Sequence, residues 1–267
     1  MPDSDAQFTG SIPEAYERHL VPLLFAPYAD DLVARARRTG SRRILEIAAG
    51  TGAVTRALAG ALPDARIDAT DLNEAMVAVG AELIAGPNVR WYAADAAALP
   101  SERASFELIL CQFGVMFLPD RVRAFREVRR VLAPGGTFLF NVWDGLENND
   151  VARLMCAGVD EVFPENRPQF LRRTPYGHGD PTLIASQLKE AGFGDVAYDA
   201  VECRSRAASP REAVLGFCHG SPLCGEILDR DPAALPRVVD AAARAIETEF
   251  GDGPVNARMR AFVFAAK

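Results

Sequence analysis

The run Ile44-Leu45-Glu46-Ile47-Ala48-Ala49-Gly50-Thr51-Gly52 decides the fold. Arg43–Ile47 is a short apolar stretch that reads as a buried strand, and it ends in a turn of small residues. Val54, Leu58 and Leu62 follow at steps of four, so a helix starts near Gly52. Downstream the same rhythm repeats. Ala65–Asp71 reads as a second strand, Val89–Ala94 as a third, Phe106–Cys111 as a fourth and Thr137–Trp143 as a fifth. Met76, Val79, Gly80 and Leu83 mark a helix that stops at Gly86-Pro87. Val122, Phe125, Val128 and Leu132 mark another that ends at Pro134-Gly135-Gly136. Strands alternating with helices imply right-handed crossovers and an α/β fold with a parallel sheet covered on both faces.

Outside this region the pattern loosens. Residues 11–38 hold two helical stretches interrupted by Pro22 and Pro27. A helix is expected near 150–163, another over Pro181–Ala191, and several pieces over 209–250. Asp195–Cys203 alternates like a strand, and Arg258–Ala265 reads as a final one. Segments 145–180 and 207–256 are too long for connecting loops, and inserts of that size usually cover a site.

Composition sets outer bounds. The 267 residues carry a net charge of −7, with 49% hydrophobic and 24% charged residues. That is an ordinary globular mix, and the acidic balance counts against a general nucleic-acid binder. No apolar run reaches the roughly 18 residues of a membrane span. The polar, acidic N-terminus is read as neither a signal nor a transit peptide. Five scattered cysteines (Cys111, Cys156, Cys203, Cys218, Cys224) show no metal-ligand spacing. They are read as free thiols of a cytoplasmic protein, with no metal.

In an open parallel sheet a ligand sits beyond the carboxyl ends of the strands. The small residues at 48–50 and 52 let backbone approach such a ligand, with helix N–H groups facing it. Asp71 closes strand two about 20 residues on, where a carboxylate can accept both hydroxyls of a ribose. Asp95, followed by the small Ala96, closes strand three and can accept an adenine amino hydrogen. Gln112 and Phe113 close strand four. A nicotinamide dehydrogenase shares the glycine turn and the strand-two acid. Its G-x-G-x-x-G/A fingerprint, counted from Gly50 and Gly52, meets Thr55 at the third position. That class also predicts neither Asp95 nor the Pro134-Gly135-Gly136 turn. A catalytically inactive cofactor-binding module is the third reading.

The runs ILEIAAGTG, TDLNEAM, AADAAALP and FELILCQFGVMFLPD, with REVRRVLAPGGTF, resemble the class I S-adenosylmethionine-dependent methyltransferases. The nearest type is the small-molecule methyltransferases of ubiquinone and menaquinone biosynthesis. The resemblance covers 43–143 closely and the last strand loosely. It implies a Rossmann-like fold: a seven-stranded, mostly parallel sheet whose last strand is antiparallel and lies between strands five and six, plus helical lid inserts. The expected organisation is a single domain over 1–267. An N-terminal helical cover spans 11–38, a cofactor-binding core spans 43–143, and lids span 145–180 and 207–256.

The resemblance also assigns roles. Glu46 orients the turn and the methionyl amino group, while Ala48, Gly50 and Gly52 line the methionyl and ribose side. Asp71 holds the ribose, Leu72 and Met76 lie against adenine, and Asp95 and Ala96 bind its edge. Gln112 and Phe113 border the sulfonium. Outside the resemblance, Tyr16 of the N-terminal helical cover is a further candidate to close over the cofactor. Met76 equally suits core packing, and Tyr16 equally suits a core tyrosine. Ala48 stands where the family usually has glycine, a change tolerated where φ is negative. His178 and His219 are the candidate bases for a small-molecule acceptor methylated on oxygen or carbon; a surface or capping histidine is the alternative for each. Phe163, Phe170, Leu171, Tyr176, Leu215, Phe217 and Leu223 would give that acceptor an apolar lining.

Overall fold

The computed structural model describes residues 3–267. In chain order the helices are α1 (Ile12–Ala15), α2 (Ala26–Arg37), α3 (Ala53–Ala61), α4 (Glu74–Leu83), α5 (Arg121–Val131), α6 (Asp150–Val162), α7 (Phe170–Arg173), α8 (Pro181–Glu190), α9 (Pro210–His219), α10 (Leu223–Arg230) and α11 (Leu235–Phe250). The strands are β1 (Arg43–Glu46), β2 (Arg66–Asp71), β3 (Val89–Ala93), β4 (Phe106–Gln112), β5 (Leu132–Trp143), β6 (Val196–Ala207) and β7 (Val255–Ala266). They form one seven-stranded sheet in the order β3-β2-β1-β4-β5-β7-β6. The β1–β5 ladders are parallel, and β7 runs antiparallel to β5. The antiparallel last strand between β5 and β6 is therefore present, as the resemblance implied.

The chain divides into two compact units. One holds Tyr28–Trp143, Gly179–Val201 and Ala261–Lys267. Its sheet has a core on each face, as buried parallel strands require. On one face Ile44, Ile67, Leu108, Leu110, Leu139 and Val263 pack with Leu32 and Val33 of α2 and with Val54 and Leu58 of α3. Alternation along the strands sends Phe138, Phe140 and Phe264 to the other face. There Phe140 and Phe264, register partners across β5 and β7, stack at 4.7 Å. Phe125 of α5 meets both Phe138 and Phe140. Two helices of this unit, α5 and α8, begin at capping side chains. Asp120 accepts the N–H of Arg123 at 2.9 Å to start α5, and Asp180 accepts those of Thr182 and Leu183 to start α8.

The other unit is helical and holds the residues up to Pro27, Asp144–His178 and Glu202–Arg260. Here α6 packs on α11 so closely that a Cβ on Gly158 would lie 2.4 Å from the Ala242 backbone. Asp5, 1% exposed, accepts bonds from the guanidinium of Arg173 and the hydroxyl of Thr174. Arg173 also reaches Glu226 at 2.6 Å, which joins the N-terminal residues to α7 and α10.

Three local expectations are corrected. Pro22 and Pro27 do not interrupt the first helical stretch. Tyr16–Phe25 winds as a π-helix with Pro22 inside it, and Ala26 N–H reaches back to Val21. The wider winding accommodates a residue that lacks an N–H. Helix α5 stops at Val131, because the residue before Pro134 is biased to extended backbone and Leu132 is already extended. The strand therefore starts at Leu132, ahead of the Pro-Gly-Gly turn, and its register against β4 jumps between Phe106 and Leu108. Strands β6 and β7 are also longer than their sequence patterns suggested.

Candidate functional site

The β1–α3 turn is pinned from both sides. Ile47 N–H donates to Leu110 of β4 at 2.9 Å, and Ala49 N–H to Thr70 of β2 at 2.8 Å. Between these anchors the chain passes through positive φ at Ala48 (51°), Gly50 (57°) and Gly52 (90°). Glycine adopts that region freely. Ala48 does not, so the negative φ on which its methyl was expected to depend is absent, and the alanine is held in a left-handed conformation. Space is made for its methyl by Gly114, where a Cβ would stand 2.4 Å from that of Ala48. Gly52 has a second reason to lack a side chain: a Cβ there would meet Ile84 at 2.5 Å and Trp91 at 2.8 Å.

Two buried carboxyls brace the turn. Glu46, 1% exposed, accepts from the hydroxyl of Thr55 in the first turn of α3. Burial pushes its carboxyl up to about 8; the Thr55 bonds oppose that shift, and the nearby Asp71 charge adds to it. Asp71, 7% exposed, accepts the Gly50 N–H at 2.9 Å with one oxygen and the Asn73 N–H at 2.8 Å with the other. Its carboxyl is also raised by burial, against the pull of those backbone donors.

Next to Asp71, Leu72 is 60% exposed, the most exposed large apolar side chain among the described residues. Met76 is buried in α4, a position that suits packing. Asp95 lies exposed just past β3 and accepts the Ala97 N–H at 2.8 Å in a tight turn, with half-buried Ala96 between them.

At the ends of β4 and β5 the geometry is unusual. Gln112 closes β4 half-buried, and Phe113 follows at φ 51°. The Phe113 N–H donates to Asn141 Oδ1 at 2.9 Å, and its ring stacks on Trp143 at 3.8 Å. Tyr28 meets both rings edge-on. Asn141 is fully buried, and its Nδ2 has no hydrogen-bond partner among the described residues. A bulky residue in the left-handed region marks stored strain of the kind found at functional sites.

The sheet unit thus brings together Glu46, Ala48, Gly50, Gly52, Asp71, Leu72, Met76, Gln112 and Phe113, with Asp95 and Ala96 at the adjoining strand end. The remaining candidates belong to the helical unit. Tyr16 stacks on Phe25 at 5.0 Å. His178 is half-buried in the segment after α7, and His219 is the exposed last residue of α9. His19 has its pKa lowered by burial first, then by Arg18 and by the facing His219. Of the proposed acceptor lining, Phe170, Leu171, Tyr176, Phe217 and Leu223 are buried as packing of this unit.

Sequence reasoning missed Thr55, Thr70, Asn141 and Gly114. Thr55 acts across the turn on Glu46, and the other three act on partners far along the chain, where no local motif announces them. The arrangement fits a nucleoside-bearing ligand. Positive-φ backbone permits close approach, α3 opens at Gly52 with no side-chain cap, a buried carboxylate keeps acceptor capacity, and an exposed leucine lacks a cover.

Comparisons with known proteins agree. Residues 44–136 match a family described as a methyltransferase domain. A ubiquinone/menaquinone biosynthesis C-methyltransferase from Methylobacterium nodulans is 32% identical over 182 residues, 61% of this chain and 70% of that protein. A malonyl-[acyl-carrier protein] O-methyltransferase from Halorhodospira halophila is 32% identical over 73% of this chain and 63% of its own length. Among solved structures, Haemonchus contortus phosphoethanolamine N-methyltransferase 2 in complex with S-adenosyl-L-methionine superimposes with a TM-score of 0.62. It is 19% identical and covers 100% of this chain and 60% of its own.

Proposed function

The chain belongs to the class I S-adenosylmethionine-dependent methyltransferases and methylates a small-molecule acceptor, and from that premise we propose how its own residues divide the work. The nicotinamide reading falls with it. When bound, the cofactor supplies a methyl group already activated by its sulfonium. What remains for the protein is to orient, to exclude water and to hold charge.

Asp71 accepts the ribose hydroxyls while its backbone bonds to Gly50 and Asn73 keep it in place. Leu72 covers one face of the adenine, which gives its exposed side chain an apolar partner worth up to about 2 kcal/mol. Asp95 takes the adenine amino hydrogen, with Ala96 at the ring edge. Met76 supports the ring from α4. Ala48, Gly50 and Gly52 line the methionyl and ribose side, and Glu46 holds the turn through Thr55. Gln112 and Phe113 border the sulfonium in an in-line displacement, and Asn141 holds Phe113 in place by accepting its backbone N–H. The observation that carries this reading is the buried Asp71 carboxylate bonded to Gly50 N–H beside an uncovered Leu72.

The acceptor is taken as a carbon or oxygen nucleophile. One similar protein is named for carbon and another for oxygen methylation. Acceptor choice is assigned to the helical unit, which holds Tyr16 and the candidate bases His178 and His219. The formal charge of −7 supports a small molecule over a nucleic acid. No helix among the described residues is long and apolar enough to cross a membrane. None of the five cysteines forms a disulfide among the described residues, which supports a reducing cytoplasm.

Titration calorimetry with S-adenosylhomocysteine and with NADH tests the cofactor assignment: heat is expected from the first alone. Asp71→Ala should weaken the first by about 1.5–3 kcal/mol, the size of a lost charge-assisted contact. A folded Asp71→Ala protein with unchanged affinity removes Asp71 from the ribose. A screen of acceptors with labelled cofactor then identifies the substrate class.

A further inference from the structure

We propose that β6 pairs with β6 of a second copy of this chain, joining two sheets about a two-fold axis. In the strand order β6 comes last, so among the described residues no strand pairs with its outer edge. Asp195 and Lys267 exchange two backbone bonds, at 3.3 and 2.9 Å, where β6 meets β7. In an antiparallel ladder such pairs recur at every second residue. Odd-numbered residues of β6 therefore bond to β7, and even-numbered ones turn their N–H and C=O groups outward. The ring of Tyr198 lies 5.1 Å from that of Phe264, the partner this register gives it.

An edge this long usually carries proline, a bulge or charges that repel a second strand. Val196–Ala207 has neither proline nor lysine, and its charges are Asp199, Glu202, Arg204 and Arg206. Asp199 is engaged by Arg35 at 2.9 Å. Glu202, Arg204 and Arg206 are exposed and lie on one face of the strand. Their order is self-complementary. A two-fold axis through Cys203 sets Glu202 against Arg204 of the partner subunit, and the reverse pair forms by symmetry. Ala200 then faces Arg206 of the partner subunit. Shifting the axis to residue 202 puts Glu202 against its own copy, and shifting it to 204 does the same for Arg204. Like charges directly opposite are unfavourable, so charge selects the middle register. There residues 200, 202, 204 and 206 contribute about eight backbone hydrogen bonds between subunits.

Light scattering on the full chain at micromolar concentration tests the proposal. The wild type should have twice the 28.8 kDa chain mass. Glu202→Arg, which sets arginine against arginine, should weaken the dimer at least tenfold. Adding Arg204→Glu to it exchanges the two charges and should restore the dimer. S-adenosylhomocysteine titration reports folding and should be unchanged in both variants. A monomeric wild type, a Glu202→Arg protein that dimerises as before, or a double variant that stays monomeric each overturns the proposal.

Discussion

Ala48 shows how one methyl group shapes a site. An L-residue in the left-handed region costs roughly 1–2 kcal/mol, part of which glycine would give back as unfolded-state entropy. Ala48→Gly should therefore raise stability by about 0.5–1 kcal/mol in urea unfolding. Gly114→Ala should cost about 1–3 kcal/mol, because its methyl would run into that of Ala48 and into the Cys111 sulfur. The two changes should couple, with Gly114→Ala milder in the Ala48→Gly background. Strict additivity would show that the methyls do not compete.

Glu46 makes a second prediction at this scale. Its folded-state carboxyl, raised from 4.5 to about 8, keeps a proton that the unfolded chain has released. Between those values the native state binds more protons, so stability falls as pH rises, at up to about 1.4 kcal/mol per pH unit. Asp71, also raised by burial, adds to the same trend above its unfolded value. Glu46→Gln keeps an oxygen for Thr55 and removes the titration. Unfolding curves at pH 5, 6, 7 and 8 should show a flatter profile for the variant, and parallel profiles would contradict the assignment.

Among the elements, the short helix α7 depends on charge more than on length. Arg173 ends it and binds both Asp5 and Glu226. Arg173→Ala leaves the buried Asp5 carboxyl with only Thr174 among those partners, at a cost of about 2–3 kcal/mol because the arginine is itself partly exposed. Asp5→Asn, which keeps acceptor and shape, should cost less, and chemical unfolding of both compares them. Equal losses would indicate packing rather than charge.

The elements also show where sequence reading succeeds. Strands β1, β2 and β4 are buried, so their apolar runs announce them. The sequence pattern of β6 stops at Cys203 and misses residues 204–207, where Arg204, Ser205 and Arg206 show no apolar alternation although Ser205 is buried. Pro22 misled because a π-helix tolerates it. Within the site, the Glu46–Gly52 turn and Asp71 were legible because strand ends place them. Asn141 was not, since only the folded sheet brings it to Phe113, and Thr55 was not, since a lone threonine early in a helix carries no signal of the carboxyl it bonds across the turn.

For the molecule as a whole, cofactor and acceptor recognition are assigned to different stretches of chain. The cofactor residues, apart from Tyr16, all lie between Glu46 and Phe113, while the candidate bases and most acceptor candidates lie in the helical unit. Substitutions at His178 and His219 should therefore change turnover or acceptor preference and leave S-adenosylhomocysteine affinity within about 1 kcal/mol, because neither is among the residues assigned to the cofactor. Loss of cofactor binding in either would break that division. Intact turnover in both would leave orientation as the whole of the chemistry.

Strand β7 is last in sequence but sits between β5 and β6 in space. On the ribosome, β1 to β5 and then β6 emerge before the strand that joins them. Until residues 255–266 follow, Phe140 lacks Phe264 and the apolar margin of β5 stays bare, a state prone to association and to capture by chaperones. The stretch from Glu46 to Phe113 is by then long since synthesised. If this half can bind before the sheet closes, nucleoside present during translation would favour the unfinished chain's native form by mass action. A metabolite consumed by the mature enzyme would then also assist its birth.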